Sequence, residues 1–148
     1  MAEKHVFGPI ELTVDPEFTR ADLEFYGIDH FRPSYVADVF FNDPEVDESN
    51  ADEERPSYAG SFAIFGHRRC VGDEGHCEVH EHIRRFDDRP SHPLTRAFKR
   101  VIVTDAVREL GDAGELTVTV IATTAPDLEG DYEGSLLSFE AAQLSTFR

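Results

Sequence analysis

Short runs in which apolar and polar residues alternate recur along this chain, each closed by glycine, proline, aspartate or asparagine. They are Ile10-Glu-Leu-Thr-Val14, Asp22-Leu-Glu-Phe-Tyr26, Tyr35-Val-Ala-Asp-Val-Phe-Phe41, Tyr58 to Phe65, Glu78 to Phe86, Phe98 to Val103, Leu116 to Ala122 and Leu136 to Phe139, with a last one toward Phe147. Successive side chains of a strand point to opposite faces, so each run is built to bury one face and wet the other. One segment breaks the period. Thr104-Asp-Ala-Val-Arg-Glu-Leu110 opens with a capping oxygen, holds good helix formers, and is followed by Gly111 where a left-handed cap falls. An open sheet would leave its apolar face in water, so the pattern predicts an all-β fold of two antiparallel sheets packed face to face. The expectation is a β-sandwich or jelly-roll-like barrel with one short helix near 104–110.

At 148 residues the chain is long enough for one ordinary core, and a single domain over 1–148 is expected. Its formal charge of −16 repels phosphate backbones, which argues against nucleic acid as a partner. No run approaches the roughly 18 apolar residues of a membrane span. With no apolar leader at its start, the sequence reads as soluble and cytoplasmic, its two cysteines as reduced thiols.

Charge is unevenly spread. Asn42 to Pro56 holds Asp43, Glu45, Asp47, Glu48, Asp52, Glu53 and Glu54 with few apolar residues to anchor them, and reads as a mobile, exposed loop at 42–56. Its spacing does not match an EF-hand calcium loop, whose central glycine is missing. Most of the positive charge lies between Arg68 and Arg100, where Glu74, Glu78, Asp87 and Asp88 are available for internal pairing.

The chemistry concentrates in a His/Cys-rich stretch at 67–92, which carries His67, Cys70, His76, Cys77, His80, His82 and His92. Imidazole and thiolate are the side chains that hold borderline and soft metals, so His67, Cys70, His76, Cys77, His80 and His82 are candidate ligands for copper, or alternatively zinc. On a strand over Glu78 to Phe86, His80 and His82 share one face, roughly 7 Å apart. The competing reading is of surface histidines on a hairpin rim with inert or paired thiols, since Cys70-x6-Cys77 is not a zinc-type cysteine pair. His76-x-x-x-His80 lacks the glutamate of a zinc protease, with Cys77 in its place, and there is no nucleophile elbow, phosphate loop or dinucleotide fingerprint. No catalytic residue is assigned.

Several of these runs, in order, carry a resemblance. Leu23-Glu-Phe-Tyr-Gly-Ile-Asp29, then Tyr35-Val-Ala-Asp-Val-Phe-Phe-Asn-Asp43, then Tyr58-Ala-Gly-Ser-Phe62 through Gly66-His67, then Arg100-Val-Ile-Val-Thr-Asp-Ala-Val-Arg-Glu-Leu110 and Leu116-Thr-Val-Thr-Val-Ile121 are similar to successive elements of the C-terminal β-domain of polyphenol oxidases. That domain is named after a Lys-Phe-Asp-Val motif; here Asp38-Val39 match, and Val36-Ala37 replace Lys-Phe. The stretch at 67–92 reads as an insertion relative to it. In that family, as in comparable tyrosinase and molluscan haemocyanin domains, the sandwich packs over a dicopper domain and can shield its entrance. The resemblance therefore implies a free-standing, non-catalytic accessory domain for a type-3 copper oxidase, shielding its site or delivering copper, with the dicopper oxidase as partner. An autonomous metal-dependent enzyme with Glu78 or Glu81 as base, and an interaction domain with no metal, are the alternatives. Exposed edge strands also allow a homodimer.

Overall fold

The computed structural model describes residues 1–67, 86, 95–125 and 134–148. Among these residues, seven strands and one helix follow in the order β1 (Ala2–Glu11), β2 (Arg20–Ile28), β3 (Tyr35–Phe41), β4 (Tyr58–Ile64), β5 (Ala97–Ile102), α1 (Thr104–Leu110), β6 (Glu115–Thr123) and β7 (Ala141–Phe147). They form a four-stranded sheet ordered β1-β6-β3-β4 and a three-stranded sheet ordered β5-β2-β7, with every pairing antiparallel. This is the expected all-β sandwich. It is not a closed barrel, because among the described residues each sheet keeps its two edge strands.

The alternation seen in the sequence explains the core. Ala21, Leu23 and Phe25 of β2 face Ala37 and Val39 of β3 and Leu116, Val118 and Val120 of β6, all fully or almost fully buried. Phe25 forms the centre of an aromatic cluster, its ring centre 4.9 Å from Phe62, 5.3 Å from Phe139 and 6.0 Å from Phe7. Tilted and edge-to-face contacts of this kind add to the area the rings bury.

Four local expectations change. The first strand begins at Ala2 and ends at Glu11 rather than spanning Ile10 to Val14, because β1 is an edge strand whose half-wet side chains give a weak alternation. Leu136 to Phe139 is not a strand: Leu136 and Leu137 are buried, but the Leu136 N–H is donated to the Glu3 carboxylate at 2.7 Å instead of to a ladder. Thr104 does not cap its own helix. The N-cap is Val103, and Thr104 Oγ1 accepts the Ala21 N–H at 3.0 Å, tying α1 to β2, while Gly111 ends the helix with a positive φ of 57° but a ψ of −126°, outside the left-handed helical cap.

The fourth change concerns the acidic loop at 42–56, which is anchored rather than loose. Val46 is fully buried with Phe40 and Ile121, covering the outer face of β6. Asn42 exchanges bonds with Thr117, and Asp43 accepts from Arg55 Nε and Ser57 Oγ, both at 2.6 Å. Those donors, chiefly Arg55, lower the Asp43 pKa to about 2. Since the folded value lies below the unfolded one, the stabilisation is fully present above about pH 4 and is lost as pH falls through the folded value. Asp43→Asn is expected to lower stability at pH 7 by about 1–2 kcal/mol. The gap between variant and parent in urea melts should shrink to roughly half by pH 3; a gap that does not depend on pH would show that the carboxylate is not its source.

The Glu78 to Phe86 strand and the pairing of basic residues with Glu74, Glu78, Asp87 and Asp88 fall, apart from Phe86, outside the described residues. Within them, Arg96 pairs with Glu140, and Arg100 with Asp22 and Glu24.

Candidate functional site

One end of the sandwich is built from the turn leaving β2 and the segment leaving β4. Asp29 starts the turn: its Oδ1 accepts the Phe31 N–H at 3.0 Å and its Oδ2 pairs with Arg32 at 3.3 Å, which fixes the backbone between them. The segment after β4 is then fastened to this turn. Gly66 N–H donates to Ser34 Oγ at 2.9 Å, and His67 N–H donates to the His30 carbonyl at 2.7 Å. Thr124 Oγ1, just beyond β6, holds the Ser34 carbonyl from the other side at 2.9 Å.

Gly66 is needed for this approach. A Cβ there would sit 1.9 Å from the Arg32 carbonyl oxygen and 2.4 Å from the Pro33 carbonyl carbon. Only a residue without a side chain lets the two backbones meet.

The outcome is a pair of imidazoles. The His30 and His67 rings lie 4.9 Å apart, centre to centre, at 76°, with the exposed rings of Phe31 and Phe65 against them at 5.5 and 5.4 Å. His30 Nε2 and His67 Nδ1 are buried and lack a hydrogen-bond partner among the described residues, as are Arg32 Nε and the Tyr35 hydroxyl. Only one other buried side-chain atom among the described residues, Asp22 Oδ2, shares that condition. Buried polar groups are nearly always satisfied, so these atoms, two in the turn, one at the start of β3 and one on the segment leaving β4, are the exceptions among the described residues. Burial, with the negative charge of Asp29 adding to it, raises the Tyr35 pKa, so the phenol stays protonated and able to donate.

The separation and angle of the two imidazoles are those of an edge contact between rings. Of the ligands expected from the sequence, His67 is at this site; Cys70, His76, Cys77, His80 and His82 lie outside the described residues. Among the described residues, no group of three histidine, cysteine, aspartate or glutamate side chains could hold a metal. His30 was not legible as a site residue: it stands outside the histidine-rich stretch, and only the packing of two distant segments brings it to His67.

A second constellation has the residue types of a hydrolytic triad. Ser135 Oγ lies 3.2 Å from His5 Nε2 and 2.9 Å from Glu3 Oε2, and His5 Nε2 lies 3.5 Å from the same Glu3 oxygen. In a triad the imidazole stands between hydroxyl and carboxylate, using one nitrogen for each. Here the hydroxyl donates directly to the carboxylate, and one imidazole nitrogen faces both. Burial lowers the His5 pKa and Glu3 opposes that shift, so the cluster is a polar tether joining β1 to the segment before β7.

No protein-family model, curated protein or solved structure matches the chain. No helix among the described residues is long and apolar enough to cross a membrane.

Proposed function

We propose that the protein is a non-catalytic metal-binding sandwich that accompanies a type-3 copper oxidase, taking up copper at His30 and His67. The reading is carried by the two unpartnered imidazole nitrogens on rings 4.9 Å apart. Imidazole binds copper strongly, and a two-histidine site holds it loosely enough for ligand exchange with an acceptor. Cys70, His76, Cys77, His80 and His82, which follow His67 in sequence, are the candidates for the remaining positions. Phe31 and Phe65, 52% and 78% exposed beside the imidazoles, supply an apolar rim by which an oxidase could dock over the site. Zinc fits the same nitrogen donors and is the metal that copper has to outcompete.

Titration of untagged protein with Cu(II), and with Cu(I) under reducing conditions, is expected to show one equivalent bound. The His30→Ala/His67→Ala double variant should lose at least a hundredfold in affinity while melting as the parent does. Uptake unchanged in that variant would exclude this site, and unchanged uptake in a His80→Ala/His82→Ala variant would remove those two histidines from the candidate ligands.

A further inference from the structure

The segment 42–56 crosses the outer face of the four-stranded sheet as a strap. Its ends are pinned: Asn42 exchanges bonds with Thr117, both at 2.8 Å, and the Phe41 N–H donates to the Ser57 carbonyl at 2.8 Å. Between them Val46 enters a small apolar cluster with Phe40 and Ile121, bordered by Ala2, Ala51 and Tyr58. Thr119 Oγ1 donates to the Asp43 carbonyl at 2.9 Å, and Lys4 Nζ, from edge strand β1, donates to that of Pro44. The middle of the strap therefore rests on one fully buried side chain.

Charge works against that seat. The segment carries seven carboxylates against the single guanidinium of Arg55, a net −6, and Arg55 is committed to Asp43 at 2.6 Å. Glu45, Asp47, Glu48, Asp52, Glu53 and Glu54 are all exposed. Asp38 adds to the repulsion. It shares the outer face of β3 with Phe40, opposite Ile121 of β6, and burial together with the negative charge of Glu53 raises its pKa. Seating the strap thus holds Glu53 close to a half-buried carboxylate.

We infer that 42–56 is a salt-closed strap: at low ionic strength its own charge lifts Val46 off the sheet, and screening by added salt seats it again. The opposing effects are of similar size, since burial of one valine is comparable with the sum of several exposed like-charge contacts. Salt acts at the right range. The screening length falls from about 10 Å at 0.1 M to about 3 Å at 1 M, passing through the spacing of neighbouring side chains. What opening uncovers is apolar: Phe40 and Ile121, fully or almost fully buried when the strap is seated, with the Tyr58 ring 5.7 Å from that of Phe40. Ionic strength therefore controls whether an apolar strip of the sheet is exposed.

Methyl NMR with a neutral, soluble paramagnetic probe, at about 0.05 and 1 M NaCl, reads the seat directly. Probe-induced relaxation of the Val46 and Ile121 methyl groups is expected to fall by about threefold or more at the higher salt. Leu23, buried between the sheets, should not change. Glu53→Lys turns the repulsion from Asp38 into attraction and should shield Val46 already at low salt. Salt acting by strengthening apolar burial would affect parent and variant alike, so the charge reversal separates the two causes. Val46→Ala should expose Ile121 at both concentrations, with the core still folded as judged at Leu23. Copper uptake involves none of these residues, so this inference and the His30/His67 site fail independently. Val46 methyl groups that read the same at both salts, a salt effect as large in Glu53→Lys as in the parent, or an Ile121 still shielded in Val46→Ala would each overturn the inference.

Discussion

Gly66→Ala is expected to cost about 3 kcal/mol or more of folding stability, beyond the usual range for overpacking, because the atoms in the way belong to backbone. The added Cβ would lie 1.9 Å from the Arg32 carbonyl oxygen, 2.4 Å from the Pro33 carbonyl carbon and 2.6 Å from the Ser34 nitrogen. A flexible side chain could turn aside; these atoms move only if the turn leaving β2 separates from the segment leaving β4. That separation breaks the Gly66 to Ser34 and His67 to His30 hydrogen bonds together, so the variant should lose the imidazole pair as well as stability. Gly114→Ala is the matched control, since nothing lies within 4 Å of its Cβ position. It should shift stability by no more than about 0.5 kcal/mol. Urea melts of both variants decide the matter: equal midpoints would mean that the close approach at Gly66 does not exist.

Phe25→Ala should cost about 3–5 kcal/mol, the range for removing a fully buried aromatic side chain. Phe25 has no exposed surface and touches rings from β1, from β4 and from the segment before β7. Its removal therefore opens a cavity that neither sheet can close by itself, since the ring fills the space between them. Phe25→Leu, which keeps much of the volume, should recover more than half of the loss. Phe98→Ala, outside the core and 45% exposed, should cost under about 1 kcal/mol. Equal losses at Phe25 and Phe98 in denaturant titrations would contradict the assigned facing of β2 and β5.

How far the sequence could be read depended on whether a signal was local. Tyr35–Phe41 was legible with its limits because alternation and flanking turn residues act within a few positions, and Thr104–Leu110 because helix formers followed by glycine do the same. Leu136 to Phe139 looked like a strand by the same criterion. It failed because the Leu136 amide is taken by a carboxylate on β1, a partner more than a hundred residues away. The acidic loop misled for a related reason: its charges are conspicuous, whereas its one fully buried apolar residue, Val46, has a value that appears only when β6 presents Ile121 to it.

The candidate site divides along the same line. His67 could be nominated from residue type, because imidazole in a histidine- and cysteine-rich stretch suggests a metal wherever it sits. His30 could not, since nothing near it in sequence hints at a second imidazole. By itself the sequence determined the all-β class, the short helix at 104–110 and the chemical character of the His67 neighbourhood, all written in patterns a few residues long. Only the tertiary structure decided the strand orders β1-β6-β3-β4 and β5-β2-β7, the meeting of His30 with His67, and the seat of Val46 against Phe40 and Ile121. Those features depend on which distant segments bury surface against one another, a choice made by the summed packing of the whole core and not by any one stretch of chain.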